Sequence, residues 1–317
     1  MITGGLGFIG THVTRALLDL GESCVLVQRR DAGLPDLLSG NGAGPRAVIE
    51  QADVTDLAAL RDIGTRHRIT GIVHLAGSAL GPDGPIGNAR NEFTGLLNIL
   101  EVAAEWGVGR VGIASTIGVY GGVDATVLRE DMPLPMESRH SIPAFKKADE
   151  LLADYIASAA GLEIVSYRIA GIWGPLGRPA GLFMAAAQLV HAAVQGREPD
   201  LSLLRAPAHA EDGIDLCYVK DCGRGIALLQ TADQLNHRVY NVASGRVTTN
   251  AEILAAIRAV IPESRIDLPA GRNPQAPGRD AYLDITRLTK DTGYVPEYDT
   301  ERAVADYVAW LRAGHER

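Results

Sequence analysis

Gly4, Gly7 and Gly10 fall every three residues in Thr3-Gly4-Gly5-Leu6-Gly7-Phe8-Ile9-Gly10, directly before the helical pattern Thr11 to Leu20. Three places at a strand-to-helix turn are thereby freed of side chains. A backbone can then approach a pyrophosphate closely, while the helix N-terminus turns its unpaired N–H groups and partial positive charge toward the anion. Alone, such glycines read as a tight structural turn. With strand, turn, helix and a later strand all in order, they read as a nucleotide-binding loop, and Gly4, Gly7, Phe8, Ile9 and Gly10 become candidate cofactor contacts. The strand before the loop is oddly short: Met1-Ile2-Thr3 stands where a central strand normally runs about five residues. Either the start is truncated or that strand is abnormally brief.

From the loop to about Gly174, short apolar runs alternate with helical patterns. The strand candidates are Cys24 to Val27, Ala47 to Glu50, Gly71 to Leu75, Arg110 to Ala114 and Ile164 to Ile169; the helix candidates are Thr11 to Leu20, Leu57 to His67, Thr94 to Trp106 and Ala144 to Ala160. This is the signature of βαβ units around a doubly wound parallel sheet, an α/β Rossmann fold. After Gly174-Pro175 the pattern loosens, with a strand at Val239 to Val242 and a helix at Asn250 to Val260. The expected division is a dinucleotide-binding domain over residues 1–175. A smaller substrate lobe follows over 176–317, some of its segments returning to the core. No fixed-period repeat or low-complexity tract interrupts the chain.

The 317 residues carry 38 Asp and Glu against 30 Lys and Arg, a formal charge of −8. An acidic surface does not attract a phosphate backbone or anionic lipid, so neither nucleic acid nor a membrane is expected as partner. The longest apolar stretch, Leu182 to Val194, is broken by Gln188 and His191. It falls short of the about 20 residues a membrane span needs and reads as a buried helix. Cys24, Cys217 and Cys222 cannot pair completely and show no ligand-like clustering with His, which disfavours a disulfide framework and a metal site. Core thiols in a reducing compartment, with no charged leader before the first motif, point to the cytoplasm.

The second strand ends Val25-Leu26-Val27-Gln28-Arg29-Arg30, where an acidic residue would bind the ribose hydroxyls of NAD. The acid is missing. Gln28 followed by Arg29 suits a 2′-phosphate instead, since a guanidinium offers forked donors to phosphate oxygens, and NADP is favoured over NAD. Two arginines after a strand are otherwise simply solvated. Asp53 and Val54 follow the third strand, placed for a carboxylate to accept from an adenine amine and for the valine to pack on its face. Asp53 is equally an ordinary turn aspartate before a helix. His74-Leu75-Ala76-Gly77 closes the fourth strand in small residues, so Leu75, Ala76 and Gly77 would let the cofactor backbone pass, while His74 reads as a packed histidine.

The glycine loop, His74 to Gly77, Ser115-Thr116-Ile117-Gly118-Val119-Tyr120-Gly121 and Arg168 to Gly174-Pro175 together resemble the extended short-chain dehydrogenase/reductase family, in its NAD-dependent epimerase/dehydratase branch. The likeness continues through Asp215 to Asp221, Tyr240 to Gly245 and Gly293 to Pro296, nearly the whole chain. In such enzymes a Ser or Thr orients a substrate oxygen, a Tyr moves its proton, and a Lys lowers the tyrosine pKa and holds the nicotinamide ribose. The resemblance puts Thr116 at the first position, with Ser115 adjacent as its backup; Tyr120 is not the acid/base residue. Without the likeness, Ser115 and Thr116 would read as a polar strand end satisfying its own backbone. The Tyr-x-x-x-Lys element corresponds to Ser141 to Glu150, where Lys146 has Glu150 four residues on.

Four residues before Lys146 stands Ile142, and shifting to Lys147 gives Pro143. An aliphatic side chain has no ionisable hydrogen, so the usual proton relay cannot run through this position. Lys146 then stands as a ribose-binding and catalytic candidate, or with Lys147 as part of a solvated helix face. His140, Glu130 and Asp131 are the nearby groups that could substitute. Arg178, Arg197 and Arg205 could meet a diphosphate, and His209, Glu211, Asp212 and Asp215 could line a pocket, or all of these could lie on solvated surface. The sequence therefore implies an NAD(P)-dependent oxidoreductase acting on a sugar or nucleotide-sugar by hydride transfer, with an atypical site. The alternative is a cofactor-binding sensor or scaffold that has lost redox catalysis. Relatives commonly pair through the helices matching Thr94 to Trp106 and Ala144 to Ala160, so a homodimer is expected.

Overall fold

A computed structural model describes residues 1–39, 46–77, 80–275 and 280–316. Its strands are β1 (Ile2–Thr3), β2 (Cys24–Gln28), β3 (Ala47–Gln51), β4 (Gly71–His74), β5 (Arg110–Thr116), β6 (Val127–Leu128), β7 (Ile164–Ile169), β8 (Gly171–Trp173), β9 (Gly213–Ile214), β10 (Leu216–Tyr218), β11 (Val239–Val242), β12 (Thr248–Thr249) and β13 (Tyr282–Leu283). The helices are α1 (Phe8–Asp19), α2 (Asp36–Ser39), α3 (Leu57–Arg66), α4 (Gly84–Trp106), α5 (Ser141–Ala160), α6 (Ala186–Gln195), α7 (Val219–Thr231), α8 (Asn250–Val260), α9 (Thr286–Thr292) and α10 (Thr300–Arg312).

Seven strands form one parallel sheet in the order β11-β7-β5-β4-β1-β2-β3. The two-residue β1 lies between β2 and β4, with Ile2 level with Leu26 on one side and Val73 on the other. Strand order reverses at this point, which opens a crevice at the carboxyl ends of β1 and β4, where ligands of doubly wound sheets bind. Short as it is, β1 is buried on both faces, and pairing on both edges holds it.

Helices cover both faces of the sheet. Val13, Leu17 and Leu18 of α1 pack with Cys222, Ile226 and Leu229 of α7 on one side. Leu60 and Ile63 of α3, Leu96, Ile99 and Leu100 of α4, and Ala153 and Ala157 of α5 form the other core. A third core unites Trp173 with Leu189 and Val190 of α6, Ile253 and Ile257 of α8, and Val304 and Tyr307 of α10. So α7, β11 and α9, all beyond residue 175, pack with the sheet, whereas α6, α8 and α10 build the separate lobe. The apolar stretch from Leu182 contributes α6, buried along most of its length.

Two helices start earlier than their apolar patterns suggest. α4 begins at Gly84, ten residues before Thr94, with a proline in its first turn, where the missing N–H breaks no helical bond. α5 begins at Ser141, so that Ile142 and Pro143 lie in its first turn.

Candidate active site

The loop between β1 and α1 is built without side chains for a steric reason. Gly4 has φ of +67°, and a Cβ there would stand 3.2 Å from the Ala76 nitrogen. A Cβ on Gly10 would overlap the Gly4 carbonyl, which already accepts from the Gly7 N–H at 2.9 Å. Gly7 caps α1 with no side-chain bond, and no acidic residue stands in its first turn, so the positive end of the helix at Phe8, Ile9 and Gly10 is not neutralised from within. Phe8 packs against the turn at Gly177, and His12 Nε2 lies 3.0 Å from the Pro175 carbonyl, which ties this helix end to the start of the lobe.

At the end of β2, the Gln28 amide is oriented by its hydrogen bonds. With its oxygen toward the loop it accepts from the Gly5 N–H at 2.8 Å and the Leu6 N–H at 2.5 Å. Its NH2 end is thereby left as a donor. Arg29 is mostly exposed, its Nη1 3.9 Å from Asp53 Oδ2. Asp53 Oδ1 accepts from the backbone N–H and hydroxyl of Thr55, so it does serve as a turn aspartate, with Oδ2 left toward Arg29. Val54 leans on Gly95 of α4, and its carbonyl accepts from Asn98.

The β4 end is tied to β1 by Thr3, whose hydroxyl bonds His74 Nδ1 at 2.7 Å and accepts from the Ala76 N–H at 3.2 Å. His74 is buried, and burial followed by the nearby Lys146 charge lowers its pKa to about 4. It is a packed, neutral histidine.

Thr116 ends β5 and caps the 3-10 turn Ile117–Tyr120, its Oγ1 accepting from the Gly118 N–H at 3.1 Å. Pro143, in the first turn of α5, approaches Gly118 beside it. Ser115 points elsewhere: its hydroxyl donates to Glu150 inside a buried network. There Arg168 Nη2 lies 2.7 Å from Glu150 Oε2, and Arg168 Nη1 donates to the Tyr120 oxygen at 2.9 Å. Tyr120 donates in turn to Asn241 at 2.8 Å. Burial pushes the Tyr120 pKa up to about 12 despite the arginine. A phenol so held is a structural member of the sheet edge.

Lys146 is not on a solvated face. Its Nζ lies 2.7 Å from Glu92 Oε1 of α4 and 3.0 Å from Asp149 Oδ2, with only 13% of the side chain exposed. Burial works against the ammonium charge, yet Asp149 and Glu92 together outweigh it and raise the lysine pKa. Glu150, at the expected spacing, belongs to Arg168 instead. Glu92 and Asp149 were not singled out by sequence. Asp149 lies at i,i+3 from the lysine, on the same side of the helix as Glu150, so its spacing did not single it out; Glu92, 54 residues away, offered no signal.

The three possible substitutes for a phenol are placed differently. Glu130 is buried, accepting from the Asn241 N–H at 2.9 Å with Arg287 3.6 Å away, and Asp131 pairs with Arg129 on the surface. His140 caps α5, exposed, with its Nδ1 2.7 Å from Arg205 Nη1 and Phe183 against its ring. Lys147 donates to the carbonyls of Pro135 and Glu137. Arg197 turns to Gln195, and Arg178 is exposed. Asp215 is wholly buried, accepting from Ser244, Gly245 and Leu283, and Asp212 accepts from the His209 and Asn273 N–H groups, so both carboxylates brace loops. Among the described residues, no group of three or more His, Cys, Asp or Glu is placed to hold a metal ion, and no helix is long and apolar enough to cross a membrane.

The sheet order, the side-chain-free loop and the Thr116 turn converge on one crevice, and the chain matches the NAD dependent epimerase/dehydratase family over residues 1–243. It belongs to that family. Among curated relatives, UDP-glucose 4-epimerase of Azospirillum brasilense is 27% identical over 330 positions, covering 99% of this chain and 92% of that protein. A dTDP-glucose 4,6-dehydratase of Streptomyces griseus is 28% identical over 322 positions, covering 98% and 93%. The solved structure of Thermus thermophilus UDP-glucose 4-epimerase in complex with NAD superposes with a TM-score of 0.76 at 23% identity, covering 99% of each chain. Family members thus include epimerases and dehydratases of sugar nucleotides, on one shared Rossmann fold.

Proposed function

We propose that this chain is an NAD(P)-dependent oxidoreductase of the epimerase/dehydratase type, acting on a carbinol of a sugar or nucleotide-sugar, with an active site in which Ile142 stands at the tyrosine position. The reading is carried by the turn at Gly4, Gly7 and Gly10, which closes only without side chains because a Cβ would strike its own backbone, and by the open N-terminus of α1 that it leaves, together with Thr116 at the neighbouring strand end. The N–H groups at Phe8 and Ile9 would face the pyrophosphate, and Leu75, Ala76 and Gly77 would border its path. Asp53 and Val54 would meet the adenine, and Lys146 the nicotinamide ribose.

When bound, the nicotinamide supplies hydride acceptance and return at the substrate carbon. Thr116 accepts from the Gly118 N–H, which leaves its own hydroxyl proton available to donate to a substrate oxygen. Ser115, donating to Glu150, supports the strand end rather than touching substrate. Ile142 and Lys146 are one helical turn apart on the same stripe of α5, so the aliphatic side chain occupies the place from which a proton would be moved. Among the three candidate substitutes, His140 is exposed two residues from Ile142, whereas Asp131 pairs with Arg129 and Glu130 is buried.

NADP is favoured over NAD. The NH2 end of Gln28 and the exposed Arg29 guanidinium are donors, which suit a 2′-phosphate better than ribose hydroxyls. A homodimer is part of the proposal, supported by Leu97 of α4 and Leu151 and Tyr155 of α5, which stand 46%, 70% and 70% exposed. The three free thiols, all buried, fit a reducing cytoplasm. A second reading, a cofactor-binding sensor without redox turnover, is favoured by Ile142 and by the ion pairs that hold Lys146. Calorimetric titration with NADP+ and NAD+, beside nicotinamide absorbance with UDP-glucose and dTDP-glucose, separates them. Binding with turnover supports the enzyme, binding without turnover the sensor, and no binding removes both.

A further inference from the structure

Glu92, Lys146 and Asp149 place two carboxyl groups against one ammonium in a nearly sealed space, with side chains 3%, 13% and 5% exposed. The Glu92 carboxyl is also within hydrogen-bonding reach of Asp149, whereas the buried Asp149 Oδ1 has no donor. Carboxylate oxygens only accept, so two in contact are satisfied when a proton lies between them. Burial raises the Asp149 pKa to about 6, with Glu92 adding to the rise and Lys146 opposing it. Among the described residues, His74 of β4 also faces the cluster, and with its pKa near 4 it stays neutral above that pH.

The location gives this cluster a ligand to respond to. A Cβ on Gly77 would lie 3.4 Å from Glu92 Oε2, and Gly77 follows Ala76, the residue that meets Gly4. Three residues before Lys146, Pro143 meets Gly118 beside Thr116. The cluster therefore lies between the glycine loop and Thr116. A dinucleotide with its pyrophosphate on the end of α1 and its reacting ring near Thr116 spans it. With both acids ionised the cluster carries a charge of −1; with one proton it is neutral. Oxidised nicotinamide carries a positive charge that the reduced ring lacks.

We propose that Glu92, Lys146 and Asp149 form a redox-sensing ion cluster, in which binding of oxidised cofactor expels the proton shared by the two carboxyl groups and binding of reduced cofactor leaves it in place. The step breaks one carboxylic O–H bond, the proton passes to the solvent buffer, and the carboxylate remains opposite the ring cation; no electron moves. It rests on the cofactor-binding reading above. By linkage, preference for the oxidised over the reduced form rises several-fold between pH 5 and pH 7.5.

The test is isothermal titration of the full chain at pH 6 with NADP+, NADPH, NAD+ and NADH, each in two buffers of different ionisation enthalpy. Oxidised cofactor should release a measurable fraction of a proton per site, and reduced cofactor none. Asp149→Asn and Glu92→Gln should each still bind and lose that difference. Equal proton counts for the two redox forms of the unmodified protein, or a difference that survives both substitutions, would overturn the cluster's role. The comparison on the unmodified protein decides even if a variant does not fold. Flat titrations with all four cofactors would instead overturn the cofactor reading, and the cluster's role with it.

Discussion

Arg168 of β7 and Glu150 of α5 are locked as a buried ion pair, with Nη2 2.7 Å from Oε2 and Nε 3.0 Å from Oε1. Ser115 and Tyr120 attach to its two ends, so the pair fixes the carboxyl end of β5 against both α5 and β7. Removing one partner leaves the other charged and uncompensated. Glu150→Ala should therefore cost about 3 to 5 kcal/mol, read from the urea midpoint. A loss below about 1 kcal/mol would mean that Arg168 finds other partners.

Acid should destabilise the fold through two histidines. Burial, aided by Lys220 for His12 and by Lys146 for His74, holds both near a pKa of 4 against 6.5 when unfolded. The unfolded chain thus binds more protons between those values, and the stability present above about pH 6.5 is lost as pH falls toward 4. Asp149, raised to about 6, and Glu130, Asp215 and Asp221, each raised by burial, work in the opposite sense over their own windows. Urea unfolding at pH 7 and pH 4.5 reads the acid loss, to which each histidine contributes about 2 to 3 kcal/mol. His12→Gln should lessen it, and an unchanged loss in that variant would remove His12 from the account.

Arg29→Ala should weaken NADP+ binding several-fold while leaving NAD+ binding nearly unchanged, because the guanidinium stands at 69% exposure with only a 3.9 Å contact to Asp53. Calorimetry showing equal or tighter binding of NAD+ by the unmodified protein would contradict the role given to Arg29.

Leu151 and Tyr155 are one turn apart on α5, both mostly exposed, and Leu97 of α4 is also bared. Light scattering at micromolar concentration should give twice the chain mass. Leu151→Glu combined with Tyr155→Glu should return a monomer that still binds cofactor. A monomer mass for the unmodified chain would refute the pairing.

Strands bounded by turn residues were readable to the residue: Ile164–Ile169 and Val239–Val242 are rich in the β-branched and aromatic residues that a buried parallel sheet favours, with Ser166, Arg168 and Asn241 as their polar members. The first ten residues of α4 were hidden because Gly84-Pro85-Ile86-Gly87 carries turn chemistry, which tertiary packing of Asn88 and Glu92 overrides. The glycine cradle was legible because its steric logic is local. The partners of Lys146 were not. Positions three and four residues on both lie on the lysine's side of the helix, so spacing alone cannot choose between Asp149 and Glu150. The choice is made by what stands across from each, Glu92 of α4 and Arg168 of β7, and those contacts are long-range.

Ile142 is the point on which the account turns. A positioned general acid or base contributes about a hundredfold to ten-thousandfold in rate, so its absence predicts weak turnover unless another group serves. The deciding measurement is turnover of UDP-glucose by the unmodified chain, by Ile142→Tyr and by variants at His140, Glu130 and Asp131, across pH. The account predicts slow turnover in the unmodified chain, dependent on His140 if on any of the three, and a rise of about a hundredfold or more in Ile142→Tyr. Robust turnover that survives all three replacements and is not improved by Ile142→Tyr would show that the reacting centre lies elsewhere.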